Sequence, residues 1–167
     1  MLNMLNNVRL VLLGVLFSLS SCGYQLIRSD VASDVSFSVP TASNKSDFRG
    51  LESLLTQSMR QQLHGLIGAQ LKSEHCDYSL DLTIDRATRS ARAWSRGGGV
   101  NMGMVVLTIS YQLFDSSEQK VLNNKASRTQ EFLISTGEDT NHAFSEAIAD
   151  VAQQIVIEIA DHLTNNN

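Results

Sequence analysis

The sequence is poor in proline, in cysteine and in basic residues. Its 167 residues include one proline and two cysteines, and 43% are hydrophobic, which excludes a collagen-like or disordered chain. Lysine and arginine number 13 against 17 acidic residues, and the resulting net charge of −4 argues against a nucleic-acid-binding protein. A chain of this length, without internal repeats, predicts one ordinary domain around a single core.

The sequence also lacks an apolar segment long enough to cross a membrane. The nearly continuous apolar stretch Leu10–Leu19 would span roughly 15 Å as a helix, about half of a hydrocarbon core of ~30 Å. Because Arg9 closes the short polar segment before it, this stretch predicts a signal peptide over residues 1–21 that is removed on export.

The residues that follow predict a lipid anchor. Leu19–Cys22 has the form of a bacterial lipobox, in which small residues precede a cysteine that becomes acylated. We therefore expect Cys22 to be lipidated, and the alternative is an ordinary signal peptide followed by an incidental cysteine. Gly23 stands where an aspartate would commonly retain a lipoprotein at the inner membrane. We expect an outer-membrane lipoprotein facing the periplasm, with a short tether over residues 22–33 and one domain over 34–167.

Catalytic and metal-binding motifs are missing. The chain has no G-x-S-x-G elbow, no phosphate-binding glycine loop and no H-E-x-x-H sequence. Asp81 and Asp85 share one strand face but would lie about 13 Å apart, too far to act on one bond. If Cys22 is acylated, Cys76 is left as a buried, inert thiol, and His75 beside it has no close Cys/His partner for zinc. We expect no enzymatic activity, no cofactor and no metal.

Hydrophobic periodicity predicts the elements of the domain. Alternation predicts strands over residues 34–39, 78–85, 102–114 and 121–134, and the last of these is polar enough to lie at a sheet edge or bend. Apolar spacings of three and four predict one helix capped by Ser46 or Asp47 and another capped by Asp139 or Thr140. The order of elements predicts an α+β two-layer sandwich, a mainly antiparallel four-stranded sheet with two helices packed on one face.

Several of these segments resemble the LptE-type lipopolysaccharide-assembly lipoproteins. They cover nearly the whole mature chain: the Cys22–Leu26 start, the early strand ending at Pro40, Gly50–Thr56, Cys76–Leu80, Val105–Asp115 and Ala143–Leu163. The resemblance implies a lipoprotein that binds and plugs the lumen of the barrel protein LptD, assists its folding and helps to deliver lipopolysaccharide to the outer leaflet. The triple glycine and the arginines before it depart from the better-known enterobacterial form.

A cluster of arginines is the candidate contact with lipopolysaccharide. Between residues 86 and 114 there are four arginines and no acidic residue, in an otherwise acidic protein. Guanidinium groups bind phosphate oxygens in a bidentate manner, and a neighbouring tryptophan would add apolar contact. The candidate residues are Arg86, Arg89, Arg92, Arg96 and Trp94. The alternative is a solvated strand face on which each arginine pairs with an acidic side chain and contributes little.

Arg86 also carries a structural expectation. It falls on the apolar phase of its strand, so the strand must end, bulge or face something polar at this residue. The glycines at positions 97–99 predict the tip of a hairpin.

A different lipid-anchored binding module is the rival interpretation. An activator of peptidoglycan synthases or a secretion-pore component would use the same kind of small α+β domain. The short tether would hold the domain within about 45 Å of the membrane, which favours a membrane-embedded partner. A third interpretation is a structural lipoprotein that binds no ligand.

Overall fold

The described residues form six strands and two helices. The computed structural model describes residues 32–94, 99–134 and 137–165. The strands are β1 (Ser36–Ser38), β2 (Ser43–Asn44), β3 (Gln70–Leu71), β4 (Tyr78–Trp94), β5 (Val100–Asp115) and β6 (Lys120–Leu133). The helices are α1 (Leu51–Ile67), between β2 and β3, and α2 (Thr140–Asn165), after β6.

One mixed sheet carries all six strands. The order of its strands is β3-β1-β4-β5-β6. β2 also pairs with β4, at Thr83 and Ile84, whereas β1 pairs with Tyr78 and Ser79 at the start of β4. β4, β5 and β6 form an antiparallel meander, whereas the three short strands pair in parallel. The predicted α+β sandwich is confirmed, but the count of four strands is wrong. The two additional strands, β2 and β3, have two residues each, too few to show an alternating pattern.

Side-chain alternation places the core on one face of the sheet. On β4 the residues Leu80, Leu82 and Ile84 are buried, and on β5 every odd-numbered residue from Gly103 to Leu113 is buried. The two helices pack against each other, and α2 packs on β5 and β6. This face is the helix-covered face, and its packing explains the predicted two-layer architecture.

The helices bury the predicted stripes with small differences. In α1, Leu51, Leu55, Met59 and Leu63 are buried, whereas Leu54 is 41% exposed. The predicted cap at Ser46 or Asp47 is wrong, because α1 starts after Gly50, whose φ of 87° belongs to the left-handed region that favours glycine.

The second helix starts as the sequence predicts. The carboxylate of Asp139 accepts a hydrogen bond of 2.8 Å from the backbone N–H of His142. An N-cap side chain of this kind satisfies one of the free N–H groups in the first helical turn. The predicted cap at Asp139 is therefore confirmed.

A bulge at Asp85 divides β4 into two parts. The pairing with β5 shifts between Ile84, opposite Ile109, and Arg86, opposite Thr108. After the shift Ala87 is buried, so the apolar phase moves from even to odd residues. The expected irregularity at Arg86 is confirmed, and the guanidinium is thereby turned away from the core.

Described residues before the predicted boundary at Asp34 already contact the domain. Ala32 is buried, and its backbone N–H donates to the carbonyl of Ile67 at 3.0 Å. The predicted leader, Cys22 and most of the predicted tether lie outside the described residues. Neither helix of the described chain is long and apolar enough to span a membrane. Cys76 is half-buried and not paired, so the prediction of a buried thiol is wrong.

Candidate functional site: the open face of the sheet

The side of the sheet opposite the helices forms a second, polar surface. We call it the open face: it comprises the β4, β5 and β6 side chains that point away from α1 and α2. On β5 these are the even-numbered residues, all half-buried from Met102 to Phe114. Hydroxyl groups dominate its centre, where Thr108 and Ser127 lie 3.1 Å apart on neighbouring strands. Within the described chain, no element packs over this face.

An ionic cluster crosses the open face at the β4 bulge. The Asp85 carboxylate lies 2.9 Å from the ammonium of Lys45 and 3.4 Å from that of Lys125. It also accepts a hydrogen bond from the hydroxyl of Ser110. The pKa of Asp85 falls to about 2, mainly because of the Ser110 hydrogen bond. Lys45 and Lys125 lower it further. The cluster joins β4, β5, β6 and the residue after β2, and it carries one more positive than negative charge.

The structure separates the predicted arginines between two faces. Arg86, opposite Thr108, lies on the open face. Arg92 lies there too, because its guanidinium forms a 3.1 Å ion pair with Glu131. Arg89 is opposite Val105 and so belongs to the helix-covered side of the sheet. Its side chain is nevertheless exposed, because β4 side chains are not buried beyond Ala87. Arg96 lies outside the described residues. The arginines therefore do not form one continuous surface.

The ion pairing of these arginines is uneven. Arg92 and Glu131 are about half exposed, with 58% and 49% of their side chains accessible. Exposed pairs of this kind contribute at most about 1 kcal/mol and exchange readily with another anion. Arg86 and Arg89 form no ion pair within 4 Å with any other described residue. The alternative interpretation of the arginines was that each pairs with an acidic side chain. This holds for Arg92 alone among the three described arginines.

The far end of the sheet exposes large apolar side chains. We call the part of the meander beyond Ala87 the arm: residues 88–94 of β4, 100–106 of β5 and 129–133 of β6. No β4 side chain of the arm is buried. Trp94 is 67% exposed, and Leu133 and Ile134 at the end of β6 are 40% and 37% exposed. The arm therefore combines cationic and apolar groups, the two kinds of group that an amphipathic lipid requires.

One close packing contact holds the strands of the arm in register. Gly103 of β5 is directly opposite Phe132 of β6, and a Cβ atom at Gly103 would lie within 2.8 Å of three ring carbons. The ring therefore occupies the space that a side chain at Gly103 would take. Sequence patterns did not identify this pair, because an isolated glycine in a strand gives no sign of which side chain covers it.

The Glu158 carboxylate on the helix-covered face has a packing role. Glu158 of α2 accepts hydrogen bonds from the hydroxyl of Tyr111 and from the amide of Asn124, the latter at 3.1 Å. Burial, together with the Glu158 carboxylate, raises the pKa of Tyr111. The contact joins α2 to β5 and β6. In the described part of the chain, no three His, Cys, Asp or Glu side chains are grouped as a metal site would require.

Solved structures share the fold at low sequence identity. A hypothetical protein from Chlamydia trachomatis superposes with a TM-score of 0.59 at 8% identity, covering 77% of this chain and 97% of its own. A Xanthomonas campestris protein gives 0.56 at 14% identity, covering 79% and 87%. Lipoprotein B from Nitrosomonas europaea gives 0.47 at 17% identity, covering 83% and 90%. The first two establish a common fold and nothing about activity.

Sequence comparison identifies the family. No curated protein matches the chain at a significant level. The family model of LptE, described as lipopolysaccharide-assembly, matches residues 35–165, which include every strand and helix described above. The chain therefore belongs to the LptE lipopolysaccharide-assembly family.

Proposed function

We propose that this protein is an outer-membrane lipoprotein, acylated on Cys22 and facing the periplasm, that binds inside the LptD barrel and assists lipopolysaccharide assembly. The family membership supports the pathway. The lipobox-like segment Leu19–Cys22 supports the anchor. In this role the protein is a binding partner and not an enzyme.

The length of the sheet is the observation that carries the proposal. β4 has 17 residues, which at roughly 3.3 Å per residue extend about 50 Å. A hydrocarbon core is about 30 Å thick, so a meander of this length is sufficient to cross a barrel from one interface to the other.

The two ends of the sheet differ in a way that suits this placement. Near the start of the described chain, the N–H of Ala32 donates to the carbonyl of Ile67, and β1 pairs with the first residues of β4. Cys22 precedes Ala32 by ten residues, a reach of at most about 35 Å. The arm, with Trp94, is at the opposite end of β4. An anchor in the inner leaflet would thus leave the arm free to point toward the outer leaflet.

The arm is the proposed contact with lipopolysaccharide. The lipid anchor of lipopolysaccharide carries phosphates, and guanidinium groups bind phosphate oxygens through paired hydrogen bonds. Arg89 and Arg92 of the arm supply such groups, as does Arg86 just before it, and Arg96 and Trp94 belong to the same stretch of sequence. Because the Arg92–Glu131 pair is exposed, a phosphate would displace the Glu131 carboxylate at little cost.

A pull-down from native envelopes tests the partner. Tagged full-length protein, solubilised in mild detergent, is expected to retain a stoichiometric LptD-like barrel that mass spectrometry identifies. Recovery of a peptidoglycan synthase or of a secretion-pore component in place of the barrel would assign the protein to another envelope complex. Recovery of no partner would favour a structural lipoprotein.

Charge reversal in the arm tests the lipid contact. The double variant Arg89→Glu/Arg92→Glu is expected to weaken lipopolysaccharide binding by about tenfold or more and to reduce its dependence on salt, because screened charge attraction is lost. Arg49→Glu/Lys120→Glu is the matched control, since both residues are exposed and lie outside the arm. Unchanged affinity and unchanged salt dependence in the arm variant would remove the arginines from the lipid site.

A further inference from the structure

A cationic cavity lies at the end of the sheet opposite the arm. Its volume is about 510 Å³, within the range of small-molecule pockets. It lies at the end of β1. Its walls are the first residues after β1, the middle of α1 and the residues from Leu71 to Ser73. The lining side chains that matter for its chemistry are Ser38, Pro40, Arg60, Leu71, Lys72 and Ser73. They include two cations and two hydroxyls, and no carboxylate belongs to the lining.

The Arg60 guanidinium is positioned by a neutral acceptor. Its Nε and Nη2 donate to the carbonyl oxygen of Val39 at 3.2 and 2.6 Å. A carbonyl fixes the orientation of the group without neutralising its charge. No described carboxylate lies within ion-pair distance of Arg60. The remaining N–H groups of this side chain are therefore available to an anion, in an orientation already set by the fold.

Lys72 supplies the second cation from a fixed backbone position. Its backbone N–H donates to the carbonyl of Phe37 at 2.9 Å, which ties the residue to β1. The nearby Asp77 carboxylate is already held by Ser36, through its backbone N–H at 2.8 Å and its hydroxyl at 2.6 Å. Those Ser36 hydrogen bonds, followed by the charge of Lys72, lower the pKa of Asp77. Lys72 and Asp77 form no ion pair within 4 Å.

The cavity also offers apolar surface. Leu71 is 43% exposed, and Pro40 belongs to the same lining. A free inorganic anion would use the cations and hydroxyls and leave this surface uncovered. A ligand with an anionic centre and an attached apolar part would use both.

The position of the cavity indicates the source of such a ligand. Leu71 and Lys72 directly follow Gln70, whose side-chain amide donates to the carbonyl of Ser33 at 3.1 Å, near the start of the described chain. The cavity is therefore at the end of the domain from which the chain leads back toward Cys22. If Cys22 carries the lipid, as proposed above, this end faces the inner leaflet, which presents phospholipid headgroups.

We propose that the cavity between Arg60 and Lys72 binds the phosphate diester of a phospholipid headgroup of the inner leaflet, with Leu71 and Pro40 against the glycerol and first acyl carbons. The guanidinium of Arg60 and the hydroxyls of Ser38 and Ser73 provide directional hydrogen bonds, and Lys72 provides a point charge. Bound headgroups would hold this end of the domain at the periplasmic rim of the barrel, which a flexible tether alone does not do. This inference rests on the proposed lipid anchor.

The test uses the mature chain with Cys22→Ser, which retains all described residues and needs no detergent. The probes are dihexanoyl phosphatidylglycerol below its micelle concentration and inorganic phosphate, followed by NMR at the Arg60 Nε–H and the Ser73 amide. The lipid is expected to bind and to shift both signals. Arg60→Gln/Lys72→Gln should weaken lipid binding by about tenfold or more, because the charge-assisted hydrogen bonds are lost.

Matched variants keep the result interpretable. Arg49→Gln/Lys120→Gln removes the same charge outside the cavity, and its affinity for the lipid is expected to stay within about twofold of the parent. Lys72→Gln alone changes an exposed side chain and leaves the Arg60–Val39 bonds in place, so it tests the site even if loss of Arg60 disturbs the fold. It should weaken binding by about threefold. Equal losses in the cavity and control variants would overturn the proposal.

The two probes separate a lipid site from a general anion site. Binding of the lipid at least about tenfold tighter than inorganic phosphate supports the headgroup, since apolar contact adds to the charge interaction. Equal affinity for the two probes would contradict it. The barrel pull-down does not depend on this result, because Arg60→Gln/Lys72→Gln is expected to retain the barrel. A pull-down in which the parent protein does not retain the barrel would instead contradict the proposed function.

Discussion

At the scale of single residues, Asp85 is the most strongly held ionisable group on the open face. The hydrogen bond from Ser110, with the charges of Lys45 and Lys125, lowers its pKa from 3.8 to about 2. A lowered pKa in the folded state stabilises the fold above the ordinary pKa, and that contribution disappears as the pH falls from about 4 to about 2. Because the lysines are two-thirds exposed, the net effect is about 1 kcal/mol.

Replacing this carboxylate tests the cluster. Asp85→Asn is expected to lower the free energy of unfolding by about 1 kcal/mol at neutral pH and by much less near pH 2, where about half of the parent carboxylate is protonated. Urea unfolding at the two pH values measures the difference. Asp81→Asn is the control, because Asp81 is an exposed carboxylate four residues earlier on the same strand. A pH-independent loss in Asp85→Asn would show that packing, and not charge, explains its effect.

The cluster also shows what local sequence reasoning misses at this scale. Alternation correctly placed Asp81 and Asp85 on one strand face. It did not bring Lys45 and Lys125 to Asp85, since these residues are 40 positions away in each direction and meet only through the sheet pairing. Long-range ion pairs depend on register, and a sequence alone does not specify register between strands of different hairpins.

At the scale of elements, the arm depends on the contact between Gly103 and Phe132. Gly103→Ala is expected to reduce the free energy of unfolding by about 1 to 3 kcal/mol, because the new methyl group overlaps a buried ring. Combining it with Phe132→Leu should recover part of that loss. A double-mutant cycle by urea unfolding measures the coupling between the two sites.

The matched control for that cycle is another glycine. Gly65 lies within α1, and a Cβ atom there would meet nothing within 4 Å. Gly65→Ala is therefore expected to stabilise the protein by about 0.5 to 1 kcal/mol, through lower backbone entropy in the unfolded chain. Additive losses at Gly103 and Phe132 would mean that the ring does not restrict this position.

Elements with strong periodicity were predictable, and those formed by pairing alone were not. Both helices, the strand at the centre of the meander and the existence of an irregularity at Arg86 followed from apolar spacing. β4 was expected to end near residue 85 but runs to Trp94, since pairing with β5 continues after the apolar pattern is lost. Ordinary strand alternation then places Arg89 on the opposite side from Arg86 and Arg92, which a count of arginines in the sequence did not anticipate.

At the scale of the whole molecule, the sequence identifies the family, and the sheet topology gives the domain two different ends. The family follows from a match over residues 35–165, and no single motif in the chain specifies it. The start of the described chain and the cationic cavity lie at one end of the domain, and the arm lies at the other. This difference between the two ends follows only from the sheet topology. If the domain binds inside a barrel, as proposed above, the difference between its two ends predicts how it is oriented there.

The orientation predicts where photo-crosslinks will form. Trp94 is at the end of the arm, and Ser117 is in the turn after β5, which pairs with the start of β4; both are exposed. They are separated by about 50 Å along the strands, which exceeds the ~30 Å hydrocarbon core. Benzoyl-phenylalanine at position 94 should therefore trap barrel segments near the outer leaflet, and at position 117 segments near the periplasm.

Mass spectrometry of the crosslinked barrel peptides would locate both contacts, with unirradiated samples as the background. An inverted pattern would require the arm to point toward the periplasm and would place its arginines away from the outer leaflet. Crosslinks to the same barrel segments from both positions would mean that the sheet lies across the lumen instead of along it. In either case the arm would have to meet lipopolysaccharide at the entrance of the barrel, before the lipid reaches the outer leaflet.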